Sequence, residues 1–208
     1  MSQVHVVDHP LVKRSLTILR DEATLAPDFR LHLRLIARFL AAKASEDVGV
    51  VETEVRTPLQ MTSGTALARP IVLAPILRAG LGMAEGMLEM VPDARMAHLG
   101  LYRDEETLEP KVYYESYPPD FAESHVVLVD PMLATGGSSV AAADMVKAAG
   151  ATSVSFLNLV SCPEGIAEFH KHHPDICIVT ASVDEGLNEK GYIVPGLGDA
   201  GDRYFGTC

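Results

Sequence analysis

The sequence predicts an α/β fold, a single domain built on one mainly parallel sheet of about five strands with helices on both faces. Three observations predict it. Short apolar runs recur at residues 71–74, 96–101, 126–129, 153–160 and 176–182. Between them, residues 81–90, 138–149 and 164–172 carry apolar side chains at helical spacing. Gly, Pro, Thr and Ser close the runs, as βα turns require. With 208 residues, 48% of them hydrophobic, the chain can bury a full α/β core. No internal repeat or interdomain linker is visible, so residues 1–208 read as one domain. Its parts are an N-terminal helical and extended segment (1–64), an α/β core (65–183) carrying an inserted arm (102–125), and a C-terminal loop (184–208).

Residues 1–45 read as amphipathic helices. Pro10 suits a helix start, and that helix runs through Arg20. Phe29, Leu33, Ile36, Ala37 and Leu40 mark the apolar face of a second helix over 29–44. Arg30, Arg34 and Arg38 form a separate stripe: a solvated or salt-bridged face, with an anion-binding face as the alternative. Val48, Val50, Val51 and Val55 suggest an extended segment that Thr57-Pro58 stops, either a strand or an edge hairpin. Residues 75–80 read as a turn after the first core strand. Residues 102–124 are acidic, contain proline and carry Tyr102, Tyr113, Tyr114 and Tyr117. A connection that long reads as a lid or as a subunit-contact arm, with hairpin structure around 111–114.

The most informative stretch is 126–150. Val126 to Val129 read as a buried strand ended by Asp130-Pro131. Thr135-Gly136-Gly137-Ser138 makes a tight turn, and an alanine-rich helix runs from there to Gly150. A strand, a glycine turn and a helix N-terminus together suit a phosphate, because the first N–H groups of a helix have no partner within it. A βα turn kept small only for packing fits the same pattern. There is no G-x-x-x-x-G-K-[ST] and no G-x-G-x-x-G after the strand, which argues against a P-loop and a dinucleotide site. Asp130 would repel a bare phosphate, so it is expected to meet sugar hydroxyls or a hydrated cation. Arg78 and Arg103 each follow a predicted strand on the ligand-binding edge of such a sheet. Their guanidinium forks suit pyrophosphate oxygens, although isolated loop arginines are often just solvated.

Residues 191–206 hold Gly191, Gly196, Gly198, Gly201 and Gly206, too dense for helix or strand. Tyr192, Ile193, Val194, Leu197 and Tyr204 nevertheless call for packing. A packed glycine-rich loop presents main-chain donors and acceptors at fixed positions, which suits a small planar base; a tail that merely closes the sheet is the alternative.

The net charge of −11, from 17 basic and 28 acidic residues, argues against a sequence-independent nucleic-acid or membrane surface. An anionic substrate then needs local donors, and Mg²⁺ would help mask its charge. Cys162, Cys177 and Cys208 are odd in number and lack C-x-x-C spacing, which suits a reducing cytoplasm and not a zinc site. His5, Asp8 and His9 interrupt any signal-peptide core, and no apolar run approaches the roughly 20 residues of a membrane span. His170, His172 and His173 read as a solvated helix end ahead of a metal site, and Cys162 as a buried thiol ahead of a reactive one.

Residues 127–138 resemble the phosphoribosyl-pyrophosphate (PRPP) signature of the type I phosphoribosyltransferases, with Pro131 where a second acid is usual. The version Asp-Pro-Met-Leu-Ala-Thr-Gly-Gly-Ser, together with Gly-Leu-Gly-Asp-Ala-Gly-Asp-Arg at 196–203, is similar to the uracil phosphoribosyltransferases over essentially the whole chain. The resemblance implies the type I phosphoribosyltransferase fold and the reaction uracil + PRPP → UMP + diphosphate, a pyrimidine salvage step. It assigns PRPP to Arg78, Arg103, Asp130, Pro131, Met132, Leu133, Ala134, Thr135, Gly136, Gly137, Ser138 and Asp199. It assigns uracil to Ile193, Gly198, Asp199 and Ala200, and the chemistry to Arg78, Arg103, Asp130 and Asp199. It makes residues 102–125 a flexible hood and puts the Thr-Pro-Leu segment at 57–59 outside the central sheet. A non-proline cis peptide is expected within 75–80, where Ala79-Gly80 would tolerate it best. Mg²⁺ held mainly by PRPP and water, a homodimer or homotetramer, and a GTP effector without an assigned residue complete the expectations. The rivals are transfer to another base, a non-catalytic PRPP sensor, and a PRPP-binding, pyrimidine-sensing RNA-binding regulator on the same fold.

Overall fold

The computed structural model describes residues 4–103 and 110–207, with the side chain of Arg103 left out. In chain order the elements are β1 (Val4–Val6), α1 (Pro10–Arg20), α2 (Ala26–Ser45), β2 (Val50–Arg56), β3 (Met61–Leu67), β4 (Ile71–Leu77), α3 (Gly80–Leu88) and β5 (Arg95–Met96). Then come β6 (His98–Arg103), β7 (Pro110–Ser116), a 3₁₀ turn (Phe121–Glu123), β8 (His125–Val129), β9 (Met132–Leu133), α4 (Gly137–Ala148) and β10 (Ser153–Ser161). The chain ends with α5 (Pro163–His172), β11 (Cys177–Val183), β12 (Gly186–Leu187), β13 (Ile193–Val194) and α6 (Ala200–Phe205).

The five expected strands stand side by side in the order β11, β10, β8, β4, β6, all parallel. The βαβ connections force this, since a parallel neighbour needs a crossover. The sheet is wider than the five-strand expectation. β1 adds a parallel edge strand on β11, and β7 pairs antiparallel with β6 at the other edge. β1 escapes a reading by periodicity, whereas β7 falls where hairpin structure is expected, around 111–114. β1 is only three residues long, inside a stretch read as helical. β7 lies in the acidic tyrosine-rich arm, where most of its residues are exposed. Residues 104–109 of that arm, assigned above to a hood, lie outside the described residues.

Each face of the sheet buries its own core. Leu73, Val127, Leu157 and Val179 face Leu16, Leu33, Ile36, Leu40 and Met83 from α1, α2 and α3. Val72, Val126, Leu128 and Phe156 face Ala142, Val146 and Phe169 from α4 and α5. Near-continuous burial along β4 and β8 follows from this double cover. The segment around Thr57 is a hairpin outside the main sheet, β2 pairing among the described residues with β3 alone, and the Thr57 hydroxyl accepts N–H groups from Leu59 (3.1 Å) and Gln60 (3.0 Å) across its turn. No described helix is long and apolar enough to cross a membrane.

The C-terminal segment departs from expectation. Residues 200–205 form a short helix although glycines surround them. Only Gly201 falls inside it. The Asp199 carboxylate caps its start by accepting from the Asp202 N–H at 2.8 Å, and Gly206, with φ of 72°, closes its end. The arginine stripe of α2 is a salt-bridged face. Arg34 and Arg38 pair with Glu85 and Glu89 of α3, and Arg30 donates to the Tyr204 carbonyl at 2.9 Å.

Gly86 sets how closely α3 approaches α2. A Cβ there would meet the Arg34 carbonyl oxygen at 2.7 Å and the Arg34 Cα at 2.8 Å, both backbone atoms that cannot swing aside. Gly86→Ala would gain up to ~1 kcal/mol of helix propensity. Overpacking costs ~1–3 kcal/mol, so the clash should win. Urea unfolding is expected to show a net loss of stability; a gain would show that the two helices separate at little cost.

Candidate active site

The first wall of the site is a loop fastened to β10. The Asp130 N–H donates to the Leu157 carbonyl at 3.1 Å. The Pro131 carbonyl accepts from Leu159 (2.9 Å) and Val160 (3.1 Å), and the Leu133 carbonyl from Cys162 (3.1 Å). The buried Cys162 thiol donates to the Ala134 carbonyl at 3.1 Å, and burial pushes its pKa up. That places Cys162 as a brace beneath the loop. Gly165, in the first turn of α5, packs so tightly that a Cβ would lie 2.6 Å from the Leu133 carbonyl oxygen. Stitched down in this way, the chain turns through Gly136 (φ of 87°) into α4.

Helix α4 opens at Gly137, and its first bond runs from the Val140 N–H to the Gly136 carbonyl at 2.8 Å. The N–H groups of Gly137, Ser138 and Ser139 precede that bond and point off the helix end, where the dipole favours an anion. Thr135 and Ser138 are exposed beside them. Pro131, Leu133 and Gly136 are buried, so they shape this loop from below. Leu133 belongs to the α4–α5 core.

The second wall is the C-terminal loop. Ile193 sits in β13, paired with Leu187 of β12, and Ile193 and Ala200 are buried while Gly198 and Asp199 are exposed. Met132 and Ala134 of the first loop and Ile193, Gly198, Asp199 and Ala200 of the second line one solvent-open cleft of about 230 Å³, with Ala79 beside them. Gly191, Tyr192 and Gly201 complete the lining. The spacing pattern singled out none of Ala79, Tyr192 and Gly201 as ligand-facing. The small side chains of Ala79 and Gly201 were the available signal.

Asp130 is half-buried at the carboxyl end of the central strand β8. Its pKa is pushed up to about 7, mainly by burial and also by the nearby Asp199 carboxylate, against an opposing hydrogen bond from the Met132 backbone. Two acids near enough to feel each other form a donor set that suits a hydrated divalent cation or sugar hydroxyls. Arg78 stands exposed at the end of β4, its guanidinium 5.6 Å from the Phe205 ring centre. The backbone places Arg103 at the end of β6, the neighbouring strand, in register with Pro110. The non-proline cis peptide lies at Leu77-Arg78, within the expected 75–80 but two peptide bonds before Ala79-Gly80, the position expected to tolerate it best.

The remaining candidates have other partners. His172 pairs with Glu168 at 3.1 Å, His170 with the Ile176 carbonyl at 3.1 Å, and the buried His173 with the Val140 carbonyl at 3.3 Å. The described residues contain no group of three or more His, Cys, Asp or Glu side chains that could hold a metal by themselves.

Comparison with known proteins gives this geometry a family. A protein from Clostridioides difficile named uracil phosphoribosyltransferase is 51% identical over the full length of both chains. One of the same name from Sinorhizobium fredii is 52% identical, again over both full lengths. The solved structure of the AQ2163 protein from Aquifex aeolicus superposes with a TM-score of 0.92 at 38% identity, covering 98% of each chain. An adenine phosphoribosyltransferase from Trypanosoma brucei shares the fold, with a TM-score of 0.55 at 15% identity over 90% of this chain and 86% of that one. These relatives lend no support to the RNA-binding alternative. A family model described as uracil phosphoribosyltransferase matches residues 6–207, and the chain belongs to that family.

Proposed function

We propose that this chain transfers the phosphoribosyl group of PRPP to uracil, releasing diphosphate and forming UMP. One observation carries the reading: the phosphate-type loop after β8 and the glycine-rich loop before α6 face each other across a single cleft. Full-length relatives named for this activity support the choice of base.

The 5′-phosphate sits on the α4 N-terminus, where the N–H groups of Gly137, Ser138 and Ser139 and the hydroxyls of Thr135 and Ser138 donate to it. Asp130 accepts from the ribose hydroxyls. Arg78 and Arg103, at the ends of adjacent strands, take the pyrophosphate, whose charge grows as it leaves C1 of the ribose. Ile193, Gly198 and Ala200 present main-chain groups to uracil, acceptor at O4, donor at N3–H and acceptor at O2, and hold its N1 toward C1. Holding both reactants in one cleft supplies most of what is needed, because the carbon–oxygen bond breaks towards an oxocarbenium-like centre and no strong base is required. Mg²⁺, when bound through PRPP and water near Asp130 and Asp199, would offset the charge of the pyrophosphate.

The base test is direct. With PRPP and Mg²⁺, uracil should be converted and cytosine should not. A site built to pair with N3–H and O4 meets a reversed pattern in cytosine, which costs on the order of 10⁴-fold in kcat/KM. Equal use of cytosine, or preference for a purine, would overturn the assignment. Asp199→Asn keeps the α6 cap and removes the charge, so turnover should fall at least tenfold while the melting temperature holds; unchanged turnover removes Asp199 from the site.

Asp130 gives a pH prediction. Its folded-state pKa lies above the unfolded one, so ionising it costs the fold stability. The cost grows as pH rises from ordinary carboxylate values to about 7 and is constant above that. Asp130→Asn avoids it. In urea unfolding without ligands, the variant's advantage over the unsubstituted chain should widen from pH 4 to pH 7 and level off by pH 8. A constant gap would show that the carboxyl titrates normally.

A further inference from the structure

Residue 196 lies in the middle of the base-binding loop, and its main chain is gripped from both sides. The Asp184 carboxylate, whose side chain is 3% exposed, accepts the Gly196 N–H at 2.9 Å. Arg20, the last residue of α1, donates to the Gly196 carbonyl at 2.8 Å. The same guanidinium forks onto Asp184, Nη1 to Oδ2 at 2.7 Å and Nη2 to Oδ1 at 2.6 Å. Ser182 adds a hydroxyl to Oδ1 at 2.7 Å. Asp184 is thereby paired on both oxygens, the condition under which a buried carboxylate is tolerated. Burial pushes its pKa up, but Arg20, Ser182 and the Gly196 N–H together hold it below the usual range.

The next residue is gripped from the same place. Arg203 donates to the Leu197 carbonyl at 2.7 Å and to the carbonyls of Leu19 and Asp21, the two neighbours of Arg20, at 2.5 Å each. Its guanidinium lies 4.6 Å from the Phe29 ring centre. Gly196, at φ of 60°, has its α-carbon packed against the Ile193 carbonyl, leaving no room for a Cβ. Moving Gly196 therefore moves Ile193.

We propose that Arg20 and Asp184 are positioning residues for the base: by holding Gly196 through its N–H and its carbonyl, they set the main-chain edge of the loop that receives uracil. The assignment rests on the uracil reading above. Among the described residues the side-chain bonds of Arg20 and Asp184 go to each other, to Ser182 and to Gly196, while the loop on the other wall is braced through Cys162 and Gly165. The pair accordingly acts on uracil and not on PRPP.

The test uses Arg20→Lys, Asp184→Asn and the double variant, with KM measured for each substrate. Lysine keeps the cation but cannot fork. In either orientation asparagine turns its NH₂ towards an Arg20 N–H. Each single variant should raise the KM for uracil at least tenfold, leave the KM for PRPP within twofold and lower kcat by less than threefold. The double variant should match the worse single one, because the two residues act as one unit. Should either variant fail to fold, Ser182→Ala loosens Asp184 without touching Gly196, and a uracil KM raised two- to fivefold at constant PRPP KM supports the assignment. A uracil KM within twofold of the unsubstituted enzyme, or equal rises in both KM values, overturns it. If the unsubstituted chain makes no UMP from uracil and PRPP, the uracil reading falls instead, and the two failures are told apart in the same assay.

Discussion

A loop can recognise a ligand with its own backbone only when that backbone has lost its freedom before the ligand arrives. Recognition by peptide N–H and C=O groups offers no side-chain rotamers to absorb misfit, so ordering the loop has to be done by the fold. Both walls of this cleft obey the constraint. The loop after β8 is sewn to β10 by the carbonyls of Pro131 and Leu133 and braced beneath by Cys162. The loop before α6 is held at consecutive residues, Gly196 by Arg20 and Asp184 and Leu197 by Arg203.

The same constraint explains where the charge sits. Under the proposed function, a chain with a net charge of −11 takes a polyanionic substrate, PRPP. Most of its acids stand on the surface. The groups placed for an anion are main-chain amides at the start of α4 and Arg78 at the end of β4, while burial, with the nearby Asp199 carboxylate, raises the Asp130 pKa to about 7. Such a site tolerates its negative charge by sharing a proton or a cation. Arg20 and Arg203 do a different job. They face carbonyls and a carboxylate of the chain itself, so their charge stabilises the loop and is withheld from the substrate.

Much of this was legible in the sequence, for identifiable reasons. The central strands β4 and β8 are buried almost throughout and read as near-continuous apolar runs, and the helical segments between the core strands point to parallel pairing. The phosphate-type turn was legible because Gly136 sits where a positive φ is needed, at the start of a helix. The strand β1 and the helix α6 were not legible. β1 is too short to show a period and forms only because β11 offers it an edge. α6 depends on caps at Asp199 and Gly206, while the glycine count of the region pointed away from helix.

The sequence by itself determined the α/β class, the position of the β8 turn and the glycine-rich character of the C-terminal loop. Those properties are local: a periodicity, a turn residue, a helix start. Only the tertiary structure decided that the two loops share one cleft, that Cys162 is a brace, that Arg34 and Arg38 of α2 pair with α3, and that Arg20 reaches Asp184 across 164 positions of chain. Each of those pairs residues that no periodicity links, and they meet only because crossovers lay β10 beside β8 and fold α1 back over the end of β11.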